Sequence, residues 1–495
     1  MPLRALAPQA SASANSATRT GLALPVTAHA GRNAVREDNN RLSPPATCLR
    51  QDGPVEPTSA DAIAAQDEVI EILRDLIRID TTNDGTDAGP GEALAAEYVE
   101  GALREVGLDA ERFSTTSSKR QGVIARIPGT DASLPRLLLH GHLDVVPAQA
   151  TDWQVPPFAA EVIDDMVWGR GAVDMKDMDA MLLSLARAWS RSGTRARRDL
   201  VFLFLPDEEA GGHHGSHWIV DNRPDMLEGV SEGVSEVGGF SMTLPDQRRL
   251  YLIQTAEKGI AWMRLHAEGR AGHGSVINRE NAVTELAAAV TRLGEHTWPV
   301  ALSPTAKRMT QTIGDALGVE LDLEDLDHLA EQIGPMVRFI GAATRNTTNP
   351  TMLSAGYKAN VVPGSASATV DGRFMPGHAD EFFRQVDELL GPHVRREFEN
   401  HDVALEADFE VPLVDAMRAS LDAEDPGALT APYILSGGTD GKAFARLGVT
   451  AYGFSPLRLP ADLDFGALFH GVDERVPIES VHFGVRALDR FLRQV

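Results

Sequence analysis

The chain has 495 residues, of which 43% are hydrophobic and 24% charged, and its formal net charge is −25. This length predicts two or three domains, and the composition is typical of a soluble globular protein. The acidic balance argues against binding to nucleic acid or to an anionic membrane surface, and no run of about 18 apolar residues predicts a membrane span.

The first 58 residues are predicted to form a disordered tail. They are rich in Ala, Ser and Pro, and such a composition cannot bury enough apolar surface to offset the entropy cost of ordering. The stretch from Leu22 to Ala30 faintly resembles a signal peptide, but its apolar part is short and broken by Pro25. We therefore favour a tail, or a start codon assigned too early, over export, and we expect a cytoplasmic protein.

Residues 59–257 read as the first part of an α/β catalytic domain. Helices and apolar strands alternate along it, which predicts a mostly parallel sheet covered on both sides. The run from Leu200 to Leu205 is continuously apolar and predicts a strand buried on both faces. The other predicted elements are the helices Ile63–Ile79, 92–106 and 179–190, and the strands Gly122–Ile127 and Arg136–His140.

Residues 258–409 follow a different pattern and are predicted to be an inserted split-βαβ, ferredoxin-like domain. The order β-α-β-β-α-β is assigned to Ile260–Ala267, Asn281–Leu293, Met352–Ala359, Ser365–Arg373, Ala379–Leu390 and Val403–Phe409. Extra material lies between Glu295 and Asn349, and its acidic run 321–327 is interpreted as a solvated helical face. Residues 410–495 then complete the catalytic domain.

Candidate metal ligands occur where strands end or turns begin. The strand at Arg136 leads into His142 and Asp144, which lie two residues apart and so face the same side. Because Cys48 is the only cysteine, a metal here must be held by His, Asp and Glu. The other candidates at such positions are Asp174, Glu208, Glu209, Glu236 and His470. Each is weak evidence alone, since a helix cap or solvated charge would look the same.

Taken together, these motifs resemble those of the zinc-dependent exopeptidase and deacylase family (peptidase M20-type metallohydrolases). That family includes glutamate carboxypeptidase, aminoacylase, acetylornithine deacetylase, succinyl-diaminopimelate desuccinylase and carboxypeptidase S. The motifs that carry the resemblance are His140–Pro147, Gly169–Lys176, Asp207–Glu209, Glu257–Gly259, Gly272–Ser275, Gly437–Asp440 and His470–Glu474. The resemblance covers about residues 60 to 495.

The resemblance implies a site with two divalent metal ions bridged by Asp174. His142 and Glu236 would hold one ion, and Glu209 and His470 the other. Asp144 would orient His142, and Glu208 would act as general base. The peptide bond after Asp174 would be cis. Zinc suits these ligands best, although cobalt or manganese can occupy similar sites.

The resemblance also implies a substrate-binding role for the inserted domain. His273 would stabilise the oxyanion, often in the site of a partner subunit, so a homodimer through this domain is possible. The positions that would bind the substrate are Asn360, Arg373, Gly437 and Gly438. Arg373 and the backbone of the two glycines would contact the substrate's carboxylate. Arg373 could equally be a partner in a surface ion pair.

The expected activity is hydrolysis of an amide bond in an N-acyl amino acid or a small peptide, by a water that two metal ions activate. An aminopeptidase or dipeptidase of the same family is the alternative, although Glu rather than Asp at position 236 favours the carboxypeptidases and deacylases. A non-catalytic metal-binding relative would lack Glu208 or one of the ligands, and all of them are present.

Overall fold

The computed structural model describes residues 57–86, 88–244, 246–333 and 337–495. The predicted tail lies almost wholly outside these residues, as do Cys48 and the signal-like stretch from Leu22 to Ala30. Within the described residues, no helix combines the length and the apolar character that crossing a membrane requires.

The main sheet has ten strands, and its central strands are parallel. Their bounds are β1 (Ala110–Ser114), β2 (Gln121–Ile127), β3 (Arg136–His142), β6 (Leu200–Leu205), β7 (Val230–Ser235), β8 (Phe240–Thr243), β9 (Arg249–Glu257), β16 (Leu405–Glu406), β17 (Leu429–Leu435) and β18 (Thr450–Gly453). The order is β1-β2-β6-β3-β7-β18-β9-β16, with β8 and β17 also paired to β9. The run β6-β3-β7-β18 is parallel, and antiparallel strands flank it.

Both faces of the main sheet are covered, as its apolar strands predict. Side chains alternate along β6, so Phe202 and Phe204 enter one core, whereas Leu203 and Leu205 enter another on the opposite face. The first core is packed by α1 (Ala60–Arg78), α3 (Lys176–Ser192), α10 (Pro412–Glu424) and α12 (Ile478–Leu492). The second is packed by α4 (Ser216–Asn222) and α11 (Gly441–Ala445).

The predicted helices of the first part form where the sequence places them. The Ser59 side chain caps α1 by accepting a hydrogen bond from the Ala62 amide at 3.0 Å, and the helix buries one apolar stripe. The second predicted helix is α2 (Ala93–Glu105). A three-stranded sheet at the periphery consists of β4 (Glu161–Ile163), β5 (Met166–Trp168) and β19 (Arg475–Pro477).

A second, four-stranded sheet is built from the segment that follows β9. It orders its strands β12-β14-β10-β15, all antiparallel. Their bounds are β10 (Gly259–Glu268), β12 (Thr347–Ala355), β14 (Ser365–Phe374) and β15 (Val394–Asp402). The helices α5 (Ala282–Glu295) and α9 (Ala379–Leu390) pack on this sheet around a separate core. A short ladder joins β11 (Gly272–His273) to β13 (Val361–Val362).

The prediction of the last strand of this sheet was wrong. The residues Val403–Phe409 were assigned to it, but the strand is β15, which ends at Asp402. Leu405 and Glu406 pair instead with β9 of the main sheet, and Phe409 enters the core of that sheet. Most side chains of β15 are charged and at least partly exposed, so the strand lacks the apolar alternation that sequence patterns detect.

Most of the extra material between Glu295 and Asn349 folds against the main sheet, whereas Trp298 near its start is buried in the core of the second sheet. The extra material forms α6 (Pro304–Leu317), α7 (Leu326–Ile333) and α8 (Val337–Ala343). Buried residues of these helices, such as Met309, Leu329 and Ile340, belong to the large core of the main sheet. The acidic run 321–327 is largely exposed, as predicted, but a helix begins only at Leu326.

Candidate active site

Three neighbouring parallel strands end at one edge of the main sheet and bring four candidate side chains together there. His142 is the last residue of β3, and Glu236 directly follows β7. Glu208 and Glu209 begin a short 3₁₀ helix just beyond β6. The carboxyl ends of parallel strands are where open α/β sheets build their sites, because the connecting loops there can carry reactive side chains.

Two further candidates, Asp174 and His470, come from loops that precede α3 and β19. Glu474 fixes the first of these loops. Its carboxylate accepts hydrogen bonds from the backbone amides of Val173 at 2.8 Å and Asp174 at 3.2 Å, and from the Arg170 guanidinium at 2.7 Å. The Asp174–Met175 peptide bond is cis, as the resemblance implies.

The side chains form two groups of potential metal ligands that share Asp174. In the first group, His142 Nε2 lies 3.2 Å from Asp174 Oδ1 and 3.7 Å from Glu236 Oε2. In the second, His470 Nε2 lies 3.2 Å from Asp174 Oδ2 and 3.0 Å from Glu209 Oε2. Within each group the ligand atoms lie within 4.8 Å of one another. Each oxygen of Asp174 therefore faces a different group, which is the arrangement of a bridging carboxylate.

The charge balance of these groups fits two divalent cations. Burial raises the pKa of Glu236 to about 8, and burial together with the nearby Asp174 also raises the pKa of Glu209. Glu209 Oε1 is buried and, among the described residues, has no hydrogen-bond partner. Hydrogen bonds to Asp174 and Glu209 raise the pKa of His470 to about 10. Divalent ions bound here would stabilise the ionised carboxylates and the neutral imidazoles, and their binding would release protons.

Glu208 lies beside the ligands but belongs to neither group. Its Oε2 is 3.9 Å from His142 Nε2, and its side chain is 16% exposed in the wall of a cavity. Burial, the largest cause, raises the pKa of its carboxyl well above the usual range, and the carboxylates of Glu236 and Asp440 add to that shift. A carboxyl with a raised pKa that lies beside the two ligand groups but belongs to neither has the properties of a general base.

Asp144 supports the site in a different way from the one predicted. His142 Nδ1 lies 2.9 Å from the backbone carbonyl of Asp144 and 3.6 Å from its carboxylate, so the carbonyl is its hydrogen-bond partner. The Asp144 carboxylate instead accepts hydrogen bonds from the backbone amides of Glu208 and Glu209, both at 3.1 Å. Asp144 thus links the ligand His142 to the turn that carries the proposed base.

A cavity of about 500 Å³ opens beside the ligands. Part of its wall is apolar and consists of Val237, Phe240, Tyr433, Leu435 and Phe469. Aromatic contacts extend this wall, since Phe240 lies 6.1 Å from Tyr433 and 5.2 Å from Phe465, and Phe465 lies 5.1 Å from Phe469 between ring centroids. The rest of the lining is mostly polar.

Three of the predicted substrate residues line this cavity, namely Arg373, Gly437 and Gly438. Arg373 also forms an ion pair with Asp371 at 2.6 Å. It therefore lines the cavity and also has an ion-pair partner within the protein, the two alternatives considered for it above. His273 and Asn360 are not part of the lining. Both are exposed: His273 ends β11, and Asn360 directly precedes β13 of the same two-stranded ladder, where the Gly274 amide donates to the Asn360 carbonyl at 2.9 Å.

Two residues that support the site, Asn83 and Glu474, could not be assigned these roles from the sequence. The side-chain amide of Asn83 donates to Asp144 Oδ2 at 2.8 Å and to Asp207 Oδ1 at 3.1 Å, and no motif marks it within its polar loop. Glu474 belongs to a quoted motif, but its function as the acceptor that shapes the Asp174 loop depends on backbone geometry. Asp207 and His470 both have positive φ angles, which are uncommon in residues other than glycine and typical of constrained sites.

The chain matches known proteins over most of its length. A sequence model described as Peptidase family M20/M25/M40 matches residues 138–494. The chain is similar to the N-fatty-acyl-amino acid synthase/hydrolase PM20D1 of Xenopus tropicalis, 26% identical over 456 residues that cover 85% of this chain and 84% of that protein. It is also similar to aminoacylase-1 of Homo sapiens, 27% identical over 419 residues that cover 82% and 90%.

A solved structure supports the fold. It is that of the M20 family metallo-carboxypeptidase Sso-CP2 from Sulfolobus solfataricus, which superimposes with a TM-score of 0.65 at 19% identity and covers 86% of this chain and 99% of that one. The family match spans well over half of the chain and includes every candidate ligand and the candidate base. The chain is therefore a hydrolase that belongs to Peptidase family M20/M25/M40.

Proposed function

We propose that this hydrolase cleaves the amide bond of N-acyl amino acids whose acyl group is apolar. The proposal is based on the aromatic and aliphatic wall next to the candidate ligands, which belongs to the same cavity as Arg373 and the Gly437–Gly438 loop. The apolar wall would take the acyl chain, because burying each methylene contributes about 0.8 kcal/mol. The arginine and the backbone of the glycine loop would hold the amino acid's carboxylate.

The groups at the cavity suggest how the reaction proceeds. When bound, two divalent ions, proposed to be Zn²⁺, would lower the pKa of a water and polarise the scissile carbonyl. His142, Glu236, Glu209 and His470 would hold these ions on either side of Asp174. Glu208 would take a proton from the attacking water and pass it to the leaving nitrogen of the amino acid.

A series of N-acyl amino acids tests the substrate class. We expect kcat/KM to rise from acetyl to octanoyl to dodecanoyl derivatives of one amino acid, by up to about fourfold for each methylene that becomes buried. All of them should be better substrates than dipeptides, in assays supplied with zinc or cobalt. Faster cleavage of dipeptides than of every acyl substrate would reject the proposal in favour of the dipeptidase alternative.

A single substitution in the apolar wall sharpens that test. Leu435→Gln puts a polar amide into the wall and should lower kcat/KM for the dodecanoyl substrate about tenfold, with little effect on the acetyl substrate. The matched control is Leu447→Gln, which makes the same change at a leucine that is 38% exposed and does not line the cavity. An equal loss on both substrates would mean that Leu435 does not contact the acyl chain.

We further propose that the enzyme acts as a homodimer through the second sheet, in the cytoplasm. The edge strand β12 exposes Met352 and Leu353, which are 67% and 64% accessible, on a sheet whose other edge is β15. His273 lies away from the cavity lining of its own chain, so its predicted role on the oxyanion would require a partner subunit.

A complementation experiment tests whether the site is shared between subunits. Glu208→Ala and His273→Ala should each be nearly inactive alone. When the two variants are mixed and allowed to exchange subunits, activity should return to about a quarter of the wild-type level, because half of the dimers are mixed and each mixed dimer keeps one intact site. Failure of the mixture to regain activity, although mixed dimers form, would show that His273 does not act on the partner's site.

A further inference from the structure

A buried ion pair lies where the two sheets join, and it takes no part in the reaction proposed above. Glu257 ends β9 and Lys442 lies in α11, and both side chains are at most 2% exposed. Lys442 Nζ lies 3.2 Å from Glu257 Oε2. Removing such charges from water is costly, so the pair needs an explanation beyond simple attraction.

Two segments connect the main sheet to the second sheet, one directly after β9 and one directly before β16. The ammonium group of Lys442 binds both of them. It donates to the carbonyl of Lys258, between β9 and β10, and to the carbonyl of Val403, between β15 and β16, both at 2.8 Å. With Glu257 as its third partner, each N–H of the ammonium group has an acceptor. The segment that leaves the main sheet and the segment that returns to it therefore both accept a hydrogen bond from Lys442 Nζ.

The carboxylate of Glu257 holds the cavity loop at the other end of the pair. It accepts a hydrogen bond from the Thr439 amide at 3.1 Å and another from the Thr439 hydroxyl at 2.6 Å. Thr439 directly follows the Gly437–Gly438 loop, and all three residues line the cavity.

Packing ties the same loop to the second sheet. A Cβ added to Gly438 would lie 2.6 Å from Lys442 Cε and 2.8 Å from Ile260 Cδ1, so a side chain there would push the pair and β10 apart. Ile260 is the second residue of β10 and lies opposite Arg373 in the ladder with β14. Ile260 thus links the glycine loop to the strand that carries Arg373.

We propose that Glu257 and Lys442 are positioning residues that set the distance between the Gly437–Gly438 loop on the main sheet and Arg373 on the second sheet. The two elements that would hold the substrate's carboxylate come from different sheets, and this pair fixes one against the other. The inference rests on the proposed function for the identity of the substrate, but the connection between the sheets does not depend on it.

The test uses the full chain with both charges removed, Glu257→Gln with Lys442→Met, so that no unpaired charge stays buried. For an N-acyl amino acid, KM should rise by at least about tenfold, the scale of one lost charge-assisted hydrogen bond, while kcat changes much less. For the same compound with its carboxylate converted to an amide, KM should not respond. The bound metal should also be unchanged.

Two further variants keep the test decisive. Thr439→Val removes the hydroxyl that donates to Glu257, with almost no change of volume. It should also raise KM, and it provides the test if the double variant folds poorly. The control Glu424→Gln with Arg486→Met removes another largely buried ion pair, between α10 and α12 and away from the cavity, and should leave KM unchanged.

Hydrogen–deuterium exchange separates this inference from the proposed function. In the Glu257→Gln, Lys442→Met variant, amides of residues 256–262, 400–406 and 436–442 should exchange faster than in the wild type, whatever the substrate is. Unchanged exchange in those segments, or a rise of KM that the Glu424 control reproduces, would overturn the positioning role. A wild-type enzyme without activity on N-acyl amino acids would overturn only the proposed function.

Discussion

Replacing Glu208 with glutamine is expected to lower kcat by at least about a hundredfold while both metal ions stay bound. The glutamine keeps the size of the side chain, but its amide cannot accept a proton from water. Glu208 lies outside both ligand groups, so the affinity for metal should not change. KM should change little, because the interaction that is lost develops only as the proton moves.

Elemental analysis of the same protein samples that are used for kinetics checks this prediction. Glu228→Gln is the matched control, since it makes the same change at an exposed glutamate on the surface and should have full activity. If Glu208→Gln lost its metal, Glu208 would be a ligand and not a base. If it kept wild-type kcat, the proton would be taken by another group.

Replacing Asp174 with asparagine is expected to have the largest effect of any single substitution. Asp174 is the one residue common to both ligand groups, and its two oxygens face His142 and His470 at 3.2 Å each. A neutral amide bridges two cations poorly, so the protein should retain less than one ion per chain after dialysis. The loss of metal activation should lower kcat/KM by at least about a thousandfold.

A neighbouring buried acid provides the control for Asp174. Burial raises the pKa of Asp177 to about 8, so this side chain is mostly neutral at pH 7 and asparagine imitates it. Asp177→Asn should therefore keep both ions and most of the activity. His142→Ala and His470→Ala, each of which removes a ligand from one group only, should retain close to one ion. Two ions bound to Asp174→Asn would contradict the bridging role.

The candidate ligands could be identified from the sequence because local patterns determine where they lie. Apolar runs mark β3 and β6, and candidate residues lie at the end of each strand or a few residues beyond it, as do His142 and Glu209. What these residues do together depends on the resemblance to a known family, since each alone has an ordinary structural explanation. The structure adds that their ligand atoms converge, which no spacing in the sequence determines.

Other features depend on contacts that are distant in the sequence and could not be predicted. The segment 403–409 alternates apolar residues at Val403, Leu405, Ala407 and Phe409, which is typical of a strand, whereas the true strand β15 has mostly charged, solvent-facing side chains. No local sequence pattern shows that α6 to α8 pack on the main sheet either. The hydrogen bonds of Glu474 and Asn83 to the site likewise join residues far apart in the chain.

In the proposed reaction, two ions held around Asp174 activate the water that cleaves an amide bond. Titrating the metal-free protein with Zn²⁺, while the hydrolysis of an N-acyl amino acid is followed, tests this most directly. We expect no hydrolysis without metal and full activity at two bound ions per chain. Full activity in the metal-free protein, or at a single bound ion with no further rise, would contradict the two-ion site.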